Sequence, residues 1–237
     1  MKLTLMILSG LFFPALLYMI YASYKVNSNF KKYSAVTTNI GTADQVAQTV
    51  LRNAGINDVE IKRCGGHLTD HYNPEDNCVY LSDSTFGRNS ISAIGVALHE
   101  VGHAMQYAEN YKFVRVRTAL VPIVSFSSKW SMPLLMIALI TEMFFSFNNP
   151  ISNALMLLSI LFYGMYTLFT LVTLPVEFNA SKRAITVLKQ TNMMNSEEIA
   201  CTKQVLSSAA QTYLANFLFS LVQLARLLLM YFSRRND

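Results

Sequence analysis

A five-residue run, His99-Glu-Val-Gly-His103, combines residue types that can bind a metal ion and move a proton. Two histidines four positions apart in a helix lie on one face about one turn apart, so both imidazoles can bind one Zn²⁺. Glu100 lies between them, where it can take a proton from zinc-bound water without binding the metal. The apolar segment 91–98 favours the required helix. The alternative is a buried helix with two hydrogen-bonded histidines.

A zinc site of this kind needs a third protein ligand, and Glu177 is the best candidate. It begins a polar helix after two apolar runs, so an even number of membrane crossings returns it to the side of His103. The alternative is a carboxylate that only interacts with the helix dipole. Four other glutamates fit less well, because they lie on the motif helix, inside an apolar run or in another first helical turn: Glu109, Glu142, Glu197 and Glu198.

The composition indicates an integral membrane protein that is mainly α-helical. Of 237 residues, 52% are hydrophobic and 14% are charged, whereas soluble domains carry about 25% charged residues. The deficit is concentrated in apolar runs, and about 20 apolar helical residues cross a bilayer. The sequence therefore predicts about four transmembrane helices. The first run could instead be a signal peptide, but its length and poor cleavage site favour an uncleaved anchor.

The apolar runs and the polar segments between them define the expected domain organisation. Within the first polar segment we expect a helix after Thr42, a strand near Ile61, a β-hairpin and the motif helix from Ile91 to about Glu109. Pro175 is expected to end the third span, and a turn at 146–150 to separate the second and third. The predicted parts are an anchor at 3–22, a catalytic domain at 24–117, a hairpin of two spans at 118–174, further catalytic-domain helices at 175–208 and a fourth span at 209–232.

The net charge of +5 and the placement of the basic residues indicate contact with anionic lipid. These residues do not alternate with aromatic side chains on a soluble surface, so nucleic acid is not an expected partner. Most lie on the side of the catalytic domain, which the positive-inside rule places in the cytoplasm with the N-terminus outside. The sequence does not indicate an oligomeric state.

Three segments together resemble the YugP-type neutral zinc metallopeptidases of bacterial membranes: His99-Glu-Val-Gly-His-Ala-Met-Gln106, Gly66-His-Leu-Thr-Asp-His-Tyr72 and Leu174-Pro-Val-Glu-Phe-Asn-Ala-Ser181. The similarity covers nearly the whole chain, including the order of its apolar runs. It implies a zinc peptidase of the bacterial plasma membrane.

A more distant resemblance is to HtpX-like gluzincin membrane peptidases, which implies a small α+β gluzincin-like peptidase domain. Their third ligand is the Glu of an E-x-x-A-D motif, which implies the same role for Glu177. Here Ser181 replaces the Asp, which in those peptidases orients a zinc-binding histidine. What orients His99 and His103 is therefore open, and Asp70 is one candidate.

His67 and His71 precede the motif helix, in a region where gluzincins hold the substrate peptide on an edge strand. One of these histidines, or Tyr72 beside them, could donate a hydrogen bond to the oxyanion that forms during hydrolysis, and the sequence does not separate His67 from His71. The alternative is a polar loop with exposed histidines.

The predicted function is therefore a membrane-anchored, zinc-dependent endopeptidase that acts on membrane-bound or unfolded polypeptides. The alternative is a catalytically silent metal-binding scaffold that regulates a membrane partner. Glu100 argues against the scaffold, because such a protein does not need a general base. A zinc transporter or an intramembrane protease would need its ligands inside the spans, where this motif does not lie.

Overall fold

The computed structural model describes residues 2–145 and 149–235, which are mainly helical with one small sheet. The turn predicted at 146–150 lies partly outside these residues. The elements in chain order are α1 (Lys2–Ser34), α2 (Ala43–Asn53), β1 (Glu60–Arg63), β2 (His71–Asn73), β3 (Cys78–Leu81), α3 (Ile91–Ala108), α4 (Lys112–Phe144), α5 (Pro150–Thr191) and α6 (Ser196–Arg235).

Three helices of the described residues are long and apolar enough to cross a membrane. They cover Lys112–Phe144, Pro150–Thr191 and Ser196–Ser233. These match three of the four predicted spans. The fourth, at 3–22, lies inside α1 and stays a prediction.

Helix α5 runs through Pro175 without a break, whereas the sequence predicted that a separate polar helix begins after this proline. The helix continues for 42 residues from Pro150 to Thr191. A proline inside a helix removes one backbone hydrogen bond and costs about 3 kcal/mol or more. Packing explains why the helix continues, because Val176, Ala180 and Ala184 just beyond the proline are all buried.

The contacts divide the chain into two units. The apolar unit comprises Met1–Tyr21, Val116–Thr173 and Tyr213–Asp237, and the site unit comprises Ala22–Arg115 and Leu174–Thr212. The long helices pass from one unit to the other along the chain.

The apolar unit is held together by interhelical hydrogen bonds from small polar side chains as well as by apolar packing. Ser131 and Ser159 each donate to the backbone carbonyl of the other, at 3.2 and 2.6 Å. Ser152 donates to the carbonyl of Ala138 at 3.0 Å. Such bonds are common between membrane helices, because small residues let the backbones approach closely.

The site unit contains a three-stranded sheet with β3 in its centre. β1 pairs with β3 in parallel, and β2 pairs with β3 antiparallel, so β2 is an edge strand. The main hydrophobic core includes buried residues of α2, α3 and β3, such as Leu51, Leu81, Ile94 and Leu98. This core fixes α3, which carries the His-Glu-x-x-His run.

Candidate metal centre

Helix α3 presents His99 and His103 on one face. The helix begins after Ser90, whose side chain accepts a hydrogen bond from the backbone N–H of Ala93. Its opposite positions are packed into the core of the site unit. The two imidazole rings lie with their centroids 4.8 Å apart and nearly perpendicular. Helix α3 by itself therefore places both imidazole rings where they can bind one metal ion.

Glu177 of α5 completes a cluster of three candidate ligands, and its side chain is only 2% exposed. Its Oε2 atom lies 3.2 Å from Nε2 of His99 and 3.5 Å from Nε2 of His103. Ligand atoms about 2.0–2.2 Å from a tetrahedral zinc stand roughly 3.4 Å from one another. The three side chains therefore fit one zinc ion, both in ligand type and in spacing.

Without a metal, the charge of the Glu177 carboxylate is balanced by His103. Burial by itself would lower the pKa of His103, but the hydrogen bond and charge of Glu177 raise it above its ordinary value. A buried carboxylate that faces two imidazoles needs a positive charge beside it. A divalent cation supplies that charge directly.

Helices α3 and α5 can meet at this point because Gly102 has no side chain. A Cβ atom built on Gly102 would lie 2.7 Å from the backbone oxygen of Ala180. Any larger residue would force the two helices apart. Gly102, the second variable residue of the His-Glu-x-x-His run, therefore lets α5 bring Glu177 close to the two histidines.

The Nδ1 atoms of both histidines have hydrogen-bond partners. Nδ1 of His99 lies 3.1 Å from Oγ of Ser181, and Nδ1 of His103 lies 3.0 Å from Oε1 of Gln106. The carboxylate of Asp70 accepts instead from the backbone N–H and the hydroxyl of Ser82, both at 2.8 Å. Asp70 therefore stabilises the end of β3, and Ser181 and Gln106 contact the candidate ligands.

Glu100 lies beside the cluster and is held by the edge strand. Its Oε2 atom accepts a hydrogen bond from the backbone N–H of Tyr72 at 3.0 Å, and the residue is 8% exposed. The hydroxyl of Tyr72 donates to Oδ1 of Asn77 at 2.6 Å. Burial raises the pKa of Tyr72 to about 12, so the phenol stays neutral.

His67 and His71 make other contacts and do not join the cluster. The ring of His71 stacks on Tyr80 at 4.9 Å, on the face of the sheet opposite Tyr72. Tyr72 in turn contacts Tyr107 of α3, so His71 lies on the face away from that helix. The ring of His67 lies edge-on against Phe30 at 5.4 Å. A catalytic role for either histidine stays a prediction.

The structure brings together four residues that the sequence indicated, His99, Glu100, His103 and Glu177, but Gln106 was not among the predicted residues. The signal was present, since Gln106 lies three positions after His103 and so on the same side of the helix. Its partners on α5 could not be known before the packing of the two helices was known.

A cluster of two histidines and a glutamate, with a further glutamate beside it on the same motif, defines a candidate zinc centre in a membrane protein. A sequence model of the family described as "Putative neutral zinc metallopeptidase" matches residues 8–232. The chain is 38% identical over 218 residues to the "Putative membrane protease YugP" of Bacillus subtilis (strain 168), covering 92% of this chain and 93% of that protein. No solved structure matches. The chain therefore belongs to this zinc metallopeptidase family, and its cofactor is Zn²⁺.

Proposed function

We propose that this protein is a membrane-anchored zinc endopeptidase that hydrolyses peptide bonds in polypeptides at the bilayer surface. The observation that carries the proposal is that His99, His103 and Glu177 meet, with the carboxylate of Glu100 near enough to interact electrostatically with His103. Membership of the metallopeptidase family and the similarity to a membrane protease support the same activity.

In this proposal His99, His103 and Glu177 hold the zinc ion. Their side chains are those of a catalytic site with three protein ligands, which leaves a position for a water molecule. Zinc in such a site acts as a Lewis acid and lowers the pKa of its water towards neutrality. Ser181 and Gln106 support the two histidines through their second ring nitrogens.

Glu100 acts as the general base. Its carboxylate takes a proton from the attacking water and passes it to the leaving amine. The backbone N–H of Tyr72 orients this carboxylate through the bond to Oε2. A general base must be oriented towards the proton that it accepts, and this bond fixes one of the two carboxylate oxygens.

Strand β2 is the surface we propose for the substrate peptide. It is an edge strand, and its residue Tyr72 directs a backbone N–H towards Glu100 rather than towards β3. An extended peptide can add to such an edge through main-chain hydrogen bonds. Recognition through the main chain requires that the substrate segment is unfolded.

The position of Glu177 in α5 concerns where the substrate lies. It follows the apolar unit by only four residues, which favours substrates at the bilayer.

The second candidate is a metal-binding scaffold without catalysis. It would use the same three ligands, so zinc binding does not separate the two functions. The position of Glu100 favours the peptidase, because a scaffold gains nothing from a buried carboxylate held beside the metal.

The test is zinc content together with peptidase activity of the purified full chain, for the wild type and Glu100→Gln. We expect the wild type to bind zinc and cleave an unfolded polypeptide. Glu100→Gln should keep its zinc and its fold but lose cleavage by roughly 100-fold or more, because an amide cannot accept the proton. Equal turnover by the two proteins would contradict the mechanism. Zinc binding without cleavage by the wild type would favour the scaffold.

A further inference from the structure

Gln106 is a fully buried amide next to the candidate metal centre. It lies on α3 three residues beyond His103, with 0% of its surface exposed. A buried amide is costly unless its donors and acceptor are all used. In this protein Oε1 lies 3.0 Å from Nδ1 of His103, and Nε2 lies 2.8 Å from the backbone oxygen of Val176 and 2.9 Å from Oδ1 of Asn179.

These contacts fix which way the amide of Gln106 points. The backbone oxygen of Val176 can only accept a hydrogen bond, so it must face the NH₂ group of Gln106. The amide oxygen therefore faces His103 and can only accept. Nδ1 of His103 must then carry a proton, so Nε2, which faces Glu177 and the zinc position, is the ring nitrogen that can bind the metal once its own proton has left.

The partner of Gln106 on α5 is held in turn by an ion pair. Oδ1 of Asn179 also accepts from Nε of Arg183 at 2.8 Å. Arg183 binds both carboxylate oxygens of Glu109, at 2.6 Å each. Residues 106 and 109 belong to α3, and residues 179 and 183 belong to α5. The two helices that carry the candidate ligands are thus joined by polar contacts within two turns beyond those ligands.

We propose that Gln106 is a positioning residue that holds His103 in the tautomer that binds zinc through Nε2. Asn179, with Arg183 and Glu109 behind it, keeps the amide of Gln106 in the required orientation. The inference rests on the zinc ligands of the proposed function. It goes beyond them by naming the group that accepts a hydrogen bond from Nδ1 of His103 and so leaves Nε2 as the nitrogen that binds the metal.

The test compares zinc affinity in Gln106→Leu and in the wild type, using the full chain in detergent. Leucine has a similar volume and no acceptor for Nδ1. We expect the zinc affinity to fall by about 10–100-fold, as is usual when the partner of a zinc-binding histidine is lost. Circular dichroism of the metal-free proteins checks that both are folded. The matched control is Gln204→Leu, which removes an amide that accepts from the hydroxyl of Tyr33 in the same unit; its zinc affinity should be unchanged.

A second measurement uses the wild type alone and does not depend on how the variant folds. The chain has four histidines, so ¹⁵N labelling of histidine gives a simple spectrum. In the zinc-loaded protein, His103 should bind zinc through Nε2 and show an Nδ1 proton protected from exchange with water. Variants that lack His67 or His71 identify the signals of these two residues. The remaining signals then belong to the candidate ligands His99 and His103.

A folded Gln106→Leu protein with the zinc affinity of the wild type would overturn the inference, as would a His103 that binds zinc through Nδ1. Both results leave the proposed function standing if the wild type cleaves polypeptide. Conversely, a wild type that binds zinc without cleavage overturns the proposed function, while a weakened Gln106→Leu still supports the role of Gln106.

Discussion

Glu177 is the residue that distinguishes a metal centre from a pair of buried histidines. A carboxylate with 2% exposure stays ionised only if a positive charge lies beside it. His103 supplies that charge as a proton in the absence of metal, and its pKa is raised for this reason. A zinc ion replaces the proton and satisfies both imidazoles at once. The same three side chains are therefore stable with and without the metal.

We expect Glu177→Gln to lose zinc and peptidase activity together. A neutral amide is a poor zinc ligand, and the site loses the charge that favours a cation. The zinc affinity should fall by more than the roughly 10–100-fold that loss of a supporting partner costs. Isothermal titration with zinc and a peptidase assay measure the two effects. Glu100→Gln is the matched control, since it changes a neighbouring carboxylate in the same way but should keep the metal. A Glu177→Gln protein with full zinc occupancy and normal turnover would show that another residue is the third ligand.

At the scale of the elements, local patterns predicted which segments are helices and strands, but not how the segments meet. The run 99–103 and its apolar flank indicated α3, and its start after Ser90 follows a common capping residue. The parallel pairing of β1 with β3 could not be seen, because it joins strands that are separated by β2 in the chain. The continuation of α5 through Pro175 was also missed, since packing beyond the proline outweighs a local helix-breaking signal.

The approach of α3 to α5 at Gly102 leads to a prediction at this scale. Gly102→Ala places a methyl group 2.7 Å from the backbone oxygen of Ala180, which is too rigid to move aside. The helices must separate, and overpacking of this kind costs about 1–3 kcal/mol. We expect a lower melting temperature and weaker zinc binding, because Glu177 moves away from His99 and His103.

Gly164→Ala is the control for that experiment. A Cβ atom there would meet only Cδ1 of Leu224, at an ordinary contact distance of 4.0 Å. Its zinc affinity should equal that of the wild type, and its melting temperature should not fall, because alanine is a better helix former than glycine. If Gly102→Ala melts and binds zinc like this control, the close approach of the two helices does not matter for the site.

At the scale of the whole molecule, the sequence predicts both the membrane spans and the direction in which they cross the bilayer. Contacts between residues do not show that direction. Hydropathy alone indicated the three apolar helices α4, α5 and α6, because a membrane span needs only length and composition. The direction in which the chain crosses the bilayer depends instead on the charges between the spans. The orientation of the spans is set by the membrane as well as by the chain, and the distribution of lysine and arginine predicts it.

We expect the site unit to lie in the cytoplasm and the turn between α4 and α5 to lie outside. Short segments next to the spans on the site side are rich in basic residues, whereas the turn at 146–150 has none. The basic residues are Lys25, Lys31, Lys32, Lys112, Arg115, Arg117, Lys182, Arg183 and Lys189. Lys2, Arg234 and Arg235 favour the opposite orientation, but they are fewer. The larger number of basic residues on the site side therefore predicts that this side lies in the cytoplasm.

Labelling of single cysteines with a membrane-impermeant thiol reagent measures this orientation in intact cells. The background protein has Cys64, Cys78 and Cys201 replaced, and one cysteine is introduced at Glu75, in the turn between β2 and β3, or at Asn148. Position 148 should react in intact cells, and position 75 should react only after the membrane is permeabilised, because the reagent cannot reach the cytoplasm. Strong labelling at 75 with none at 148 in intact cells would reverse the orientation. The peptidase would then meet its substrates on the outer face of the membrane.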